Sequence, residues 1–255
     1  MAPMSLHPFL VFVIALGTLL VSAWIGWSVL RKKYELDEAV RTDFGIVLTA
    51  ALTLLGLIIS FTFSIATGRY DQRRNYEEAE ANAIGTEYVR ADLVPPADAA
   101  KMRTLLQSYL QERLSFYVTS DEEQLQGINA RTARLQSELW AAVAAVAAKD
   151  SSPVMALVVA GMNDVLNSQG YTQAAWWYKI PGAAWLLMLT IAMVCNVLFG
   201  FGARAGPHAH RLLPILPLIT AIAFLLIADI DTPRRGLIRV RPLNLIALAD
   251  SLAPR

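Results

Sequence analysis

The chain has little charge, almost no cysteine and few histidines. Of its 255 residues 17% are charged, the formal net charge is +1, and there are one cysteine and three histidines. A charge balance this close to neutral lacks the basic surface that nucleic acids require. The single thiol, Cys195, cannot close a disulfide within the chain. These shortages exclude a nucleic-acid partner and a disulfide-stabilised domain.

Motifs of common enzymatic chemistry are also missing. The sequence contains no G-x-S-x-G turn, no phosphate-binding glycine loop and no H-E-x-x-H motif. His208 and His210 lie close together, but no nearby cysteine or carboxylate completes a metal site. Acidic pairs such as Glu77-Glu78 and Asp229/Asp231 are expected to be solvated. We therefore predict no enzyme, no metal and no cofactor.

Long apolar runs are what the sequence has in abundance. Hydrophobic residues make up 55% of the chain, which is typical of a membrane protein. A bilayer core requires about 20 apolar residues in a helix. Four runs are predicted spans: Pro8–Leu30, Phe44–Ala66, Pro181–Ala203 and Leu212–Ile230. The last is the weakest, because two prolines lie near its start and Asp229 near its end.

The polar segment between the second and third runs has helical periodicity throughout. Pro95-Pro96 breaks it, Ser120 and Glu123 have capping-box spacing, and Ser152-Pro153 predicts another helix start. No stretch alternates as a strand does. We therefore predict an all-α membrane protein with four transmembrane helices in two hairpins and an inserted helical bundle.

The predicted segments form one domain. They are a first hairpin at 1–67, a helical insertion at 68–180, a second hairpin at 181–231 and a tail at 232–255. The distribution of Lys and Arg slightly favours a cytoplasmic insertion with both termini also in the cytoplasm.

The second run has a distinctive face. At 100° per residue, a stripe of small, hydroxylated and aromatic residues shares one side of the helix, while Thr62 lies off it. The stripe consists of Thr49, Thr53, Gly56, Ser60, Phe63 and Thr67. If the helix continues, Asp71, Arg74 and Glu78 extend the same face.

Two interpretations of this stripe compete. Small and hydroxyl residues allow close helix packing in a bilayer. Alternatively the stripe lines a pore, with Phe63 as a hydrophobic constriction. Four spans cannot surround a pore, so a channel requires a ring of subunits.

Two sequence segments resemble the bacterial bestrophin-like domain family. FSIATGRYDQRR ends the second run and is soon followed by EEAEANAIGTEYVRADL, and DIDTPRRGLIRVRPLNLIAL follows the fourth run. The resemblance implies a homopentameric anion channel, conducting chloride-type ions, in a bacterial inner membrane. It also implies a narrow hydrophobic neck from the second span, at Phe63 and, one turn earlier, Ile59 or Ser60.

The sequence departs from true bestrophins at two places. Arg73-Arg74 replaces the Trp pair that follows their Tyr-Asp-Arg motif, and the acidic run of the calcium clasp in animal bestrophins is missing. We therefore predict no calcium gating. The rival hypothesis is a non-conducting membrane scaffold or sensor.

Overall fold

The regular elements of the chain are all helical in the part that the structure describes. The computed structural model describes residues 7–34, 37–203 and 209–253, so the loop residue His208 and the side chain of His210 lie outside it. The elements are α1 (Pro8–Ile25), a π-helical turn (Gly26–Leu30), α2 (Arg31–Lys33), α3 (Glu38–Arg90), a 3-10 turn (Ala91–Leu93), α4 (Pro96–Val118), α5 (Glu122–Ala147), α6 (Pro153–Trp177), α7 (Gly182–Gly202), α8 (Ala209–Leu212), α9 (Ile215–Asp231) and α10 (Leu243–Leu252). The predicted all-α fold is confirmed.

Helix starts follow local chemistry. Ser152 Oγ accepts a hydrogen bond from Met155 N at 3.2 Å, and Pro153 is the first residue of α6, as predicted. The predicted cap at Ser120 is wrong by one residue, because the Asp121 carboxylate accepts from Gln124 N at 2.8 Å. A carboxylate is at least as good an N-cap as a hydroxyl and also suits the positive helix end.

Helix α3 runs without a break from apolar to charged sequence. Its 53 residues correspond to a length of about 80 Å at 1.5 Å per residue. The prediction that one helix carries the second run into the polar segment is confirmed. It ends before Pro95, as the Pro95-Pro96 pair predicts.

Three helical stretches are long and apolar enough to cross a membrane. They are Pro8–Lys33, Val40–Leu93 and Pro153–Gly202. The fourth predicted run forms α9, which has 17 residues. It begins at Ile215 rather than Leu212, because a helix from Leu212 would need an N–H donor at Pro217, which has none. The four-span count stays a prediction.

The chain separates into two compact units. The first combines residues up to Gly68 with Lys179–Ile238, and the second combines Arg69–Tyr178 with residues from Arg239 onward. The assignment of these units to membrane hairpins and a cytoplasmic insertion stays a prediction.

In the first unit α1 packs on α7 and α9. Where α7 crosses the end of α1 and the π-helical turn after it, a Cβ on Gly26 would collide with the Val197 carbonyl oxygen, and one on Gly200 with the Ala23 carbonyl oxygen. The two backbones therefore approach at a pair of glycines, as helices in membranes commonly do.

The second unit has a contiguous apolar core. The predicted stripes of α4, α5 and α6 supply most of it, joined by Ala81 and Ile84 of α3 and Leu245 of α10. Its fully covered members include Ile84, Met102, Leu106, Tyr109, Leu139, Val158, Met162, Val165 and Leu245.

Helix α10 is fixed to the second unit by Glu77. The Glu77 carboxylate accepts from Leu245 N at 2.9 Å and from Asn244 Nδ2 at 2.7 Å. Leu248 lies over Gly85, where a Cβ would come within 3.1 Å of Leu248 Cδ1. The expectation that Glu77 is solvated is wrong: its exposed fraction is 2%.

Candidate pore-lining helix

The predicted stripe of α3 is uncovered by any described part of the chain. Five of its six members are exposed and the sixth, Thr67, is half-buried. Within the most apolar 18-residue window, 6% of the α3 residues are buried, against 28% in each of the other two candidate spans. Within the described ranges, no other helix of the chain covers the stripe.

The opposite side of α3 is buried. Leu55, Thr62 and Ala66 have exposed fractions of 6% or less, and their spacing of seven and four residues places them on one face. Thr62 is therefore off the stripe, as the helical wheel places it. The helix presents a covered face and an uncovered face that differ in chemistry.

The stripe's hydroxyls hydrogen-bond within the helix. Thr53, Ser60 and Thr67 donate to the carbonyl oxygens four residues earlier, at 2.8, 2.8 and 2.9 Å. A hydroxyl that donates in this way presents lone pairs outward, and it presents its hydrogen only after rotating. The stripe can therefore solvate an ion of either sign, and its hydroxyls alone do not set charge selectivity.

The residues predicted for the neck, Phe63 and either Ile59 or Ser60, differ in exposure. Phe63 is 39% exposed; one turn earlier Ser60 is exposed and Ile59 is half-buried. Ser60 thus shares the uncovered face with Phe63, and Ile59 lies at its margin.

Beyond Thr67 the same face becomes charged. Asp71, Arg74 and Glu78 are all exposed. Two carboxylates and one guanidinium give this group a formal charge of −1 (−2 and +1), so it lacks the single positive sign that would attract anions. The structure brings these residues onto the continuation of the stripe, as the wheel predicts.

The side chain of Arg73 is buried, whereas that of its neighbour Arg74 is exposed. Arg73 has an exposed fraction of 0%. Its Nε donates to the Ala175 carbonyl at 3.1 Å and its Nη2 to the Tyr178 carbonyl at 3.2 Å. These carbonyls lie at the C-terminal end of α6, where backbone acceptors are unpaired and a cation is favourable. Arg73 therefore caps α6.

A second buried charge, Glu80, organises the core between α3, α4 and α6. It forms an ion pair with Arg113 and accepts from Tyr117 Oη at 3.1 Å and Thr172 Oγ1 at 3.2 Å. Burial alone would lower the pKa of Arg113, but the Glu80 carboxylate raises it. Burial, reinforced by Glu80, raises the pKa of the Tyr117 hydroxyl. Arg113 thus stays charged and Tyr117 stays a donor.

Glu87 lies two turns further along α3 than Glu80, and its buried charge has much weaker compensation. Its side chain is fully buried, and neither carboxylate oxygen has a hydrogen-bond partner in the described residues. The nearest cation is Arg90, with Nη1 3.9 Å from Oε2. Burial raises the pKa of Glu87 to about 8; Arg90 opposes this rise and Asp164 adds to it. The carboxyl therefore holds a proton at neutral pH.

The sequence interpretation, which assigns charged residues to solvated faces, misses the buried charges of α3. Arg73, Glu77, Glu80 and Glu87 follow one another at spacings of four, three and seven residues, in register with the buried Ile84. That spacing is the signal of a core-facing stripe. The charges occupy positions that normally hold apolar residues.

The acidic pair at the C-terminal end of α9 accepts hydrogen bonds from two neighbouring segments. Asp229 accepts from Leu237 N at 2.7 Å and Ile238 N at 2.8 Å, and Asp231 accepts from Ile180 N at 3.1 Å. Both carboxylates are buried, so the expectation that they are solvated is wrong. Across the described ranges, no three His, Cys, Asp or Glu residues lie close enough to hold a metal.

Comparison with known proteins identifies the fold. A family model, the Bestrophin-like domain, matches residues 12–245. The crystal structure of a bacterial Bestrophin homolog from Klebsiella pneumoniae is 16% identical, with 96% of this chain and 95% of that chain covered and a TM-score of 0.61. A point variant of that homolog is 16% identical at 94% and 93% coverage, with a TM-score of 0.62. No curated protein matches. Because the family model spans most of the sequence, the chain belongs to the bestrophin-like domain family.

Proposed function

We propose that the chain is one subunit of a homo-oligomeric membrane ion channel whose conducting path is lined by α3. The observation that supports this most directly is the uncovered stripe from Thr49 to Thr67 on an otherwise apolar helix. A ring of identical subunits would bring these stripes together around one axis. The family membership and the fold also support a membrane ion channel.

The finer parts of the proposal come from the family resemblance. The ring is a pentamer in a bacterial inner membrane, with residues 68–180 and both termini in the cytoplasm. The permeant ions are small anions of the chloride type. Phe63 forms the hydrophobic neck with Ser60 one turn away, and Asp71, Arg74 and Glu78 stand at the cytoplasmic mouth. The lipid bilayer and other copies of the chain are its partners.

Electrical recording in planar bilayers tests conduction and selectivity together. Purified full-length protein under a KCl gradient should give currents that reverse near the chloride equilibrium potential. Reversal near the potassium equilibrium potential would contradict the anion proposal but would still support an ion channel. Silent bilayers from a verified oligomer would contradict the channel itself and favour the non-conducting scaffold or sensor.

The role of Phe63 has a matched control in Phe61. Both rings are exposed, at 39% and 62%, but Phe61 lies about 120° from Thr49 around the helix and is off the stripe. Phe63→Ala should raise single-channel conductance severalfold, because a bulky apolar constriction is a barrier that dewets. Phe61→Ala should leave conductance unchanged. Equal conductances in both variants and the parent would remove Phe63 from the neck.

A further inference from the structure

Three charged side chains of α3 have no partner in the described part of the chain. Asp71, Arg74 and Glu78 are exposed, and their side chains form no hydrogen bond or ion pair there. Arg134 and Glu138 of α5 are also exposed and have the same order and spacing as Arg74 and Glu78, yet they form an ion pair at 3.6 Å. The three charges of α3 are therefore available to another molecule.

These charges are divided between the two edges of the exposed face. At 100° per residue, Asp71 and Glu78 lie about 60° and 40° to the same side of Arg74. Along the helix, Arg74 is about 4.5 Å from Asp71 and about 6 Å from Glu78, at 1.5 Å per residue. One edge of the face therefore carries a cation, and the other edge carries two carboxylates at nearly the same height.

A closed ring of subunits brings unlike edges together. In such a ring the contact is heterologous, so one edge of each copy meets the opposite edge of the next copy. The rotation axis keeps identical residues at one height, so a side chain that pairs across the contact must bridge only the axial offset within its own helix. Ion pairs three and four residues apart in single helices show that side chains bridge such an offset.

We propose that Arg74 of each copy pairs with Asp71 and Glu78 of the neighbouring copy, so that a belt of ion pairs closes the ring at its mouth. The inference rests on the proposed oligomer and deepens it by assigning one contact between its subunits. A second copy of the chain is the occupant that fits this face, because it offers both signs of charge at the matching edges. A free anion would meet two carboxylates for each guanidinium.

Reversing the sign of Arg74 tests the belt. Arg74→Glu places three carboxylates on the face, so that neighbouring copies repel one another. In detergent at about 0.1 M salt, we expect the protein concentration at which half of the rings have dissociated to rise about fivefold or more. Native mass spectrometry counts the copies. Arg134→Glu is the matched control and should assemble as the parent does, because Arg134 pairs within its own helix.

Reversing all three charges should restore assembly. The triple variant with Arg74→Glu, Asp71→Arg and Glu78→Arg exchanges the two edges and keeps them complementary. Rings of Arg74→Glu that dissociate as the parent does would overturn the belt, and so would a triple variant that stays as weak as Arg74→Glu. A parent chain that is monomeric would refute the proposed oligomer itself, which distinguishes that failure from a failure of the ion pairs within a stable ring.

Disulfide cross-linking shows whether the paired residues belong to different copies. In a Cys195→Ala background, one chain carries Arg74→Cys and a differently tagged chain carries Glu78→Cys, and both are expressed together. Oxidation should join the two tags in one dimer on a denaturing gel. Ala79→Cys in place of Glu78→Cys is the control, because Ala79 is also exposed but lies about 140° from Arg74 around the helix. Equal yields of dimer from the two combinations would overturn the contact.

Discussion

At the scale of single residues, Glu87 makes the second unit sensitive to pH. Its native pKa of about 8 lies above the ordinary value of 4.5, so the native state binds more protons than the unfolded state between these values. The resulting stabilisation is fully present below about pH 4.5 and is lost as the pH rises through about 8. The ionised, buried carboxylate is what destabilises the unit in alkali.

Glu87→Gln should remove this dependence. We expect the variant to be more stable than the parent at pH 9, by about 1–3 kcal/mol, with little change at pH 5. Thermal unfolding of the full chain in detergent from pH 5 to pH 9 measures the effect. Glu78→Gln, an exposed change on the same helix, is the control and should follow the parent. A parent midpoint that rises toward pH 9 would contradict the assignment.

Two adjacent arginines provide a second test at this scale. Arg73 donates to two carbonyls at the end of α6, whereas Arg74 is exposed. Arg73→Gln should destabilise the chain by roughly 2 kcal/mol, because buried hydrogen bonds from a charged donor are lost. Arg74→Gln should change stability by less than about 0.5 kcal/mol. Melting midpoints measure both, and equal shifts would argue against the capping role.

At the scale of elements, the glycine crossing of α1 and α7 sets how closely these helices pack. Gly200→Leu should reduce the yield of folded protein and destabilise it by at least about 1–3 kcal/mol, because the new side chain meets the Ala23 carbonyl. Gly17→Leu, on open surface, is the control. Size-exclusion profiles and melting midpoints in detergent measure the difference. Indistinguishable profiles would mean that the crossing relaxes freely.

Sequence periodicity predicts the elements well and the charged core poorly. The breaks at Pro95-Pro96 and Ser152-Pro153 and the stripes of α4 to α6 follow local rules. The burial of Glu77 does not, because its partner Leu245 is 168 residues away. The stripe on α3 is likewise visible locally, but the sequence of one chain does not tell what the stripe faces.

At the scale of the whole molecule, the poorly covered α3 predicts self-assembly. An apolar helix with 6% of its central window buried leaves most of its surface for lipid and for neighbouring subunits. Native mass spectrometry from detergent should find a pentamer near 140 kDa, five times the chain mass of 28.0 kDa. A monomer or dimer as the dominant species would contradict both the pentamer and the proposed path.

The closure of the second unit by α10 has a consequence for biosynthesis. Glu77 and the backbone amide of Leu245 that it caps are 168 residues apart. At about 5–20 residues per second, roughly 8–34 s separate the synthesis of the two partners. During that time the carboxylate of Glu77 and the Gly85 surface of α3 stand open while the apolar helices α7 and α9 are still being made. The second unit is therefore completed only after α10 has been made, and a chain that stops before Leu243 never closes it.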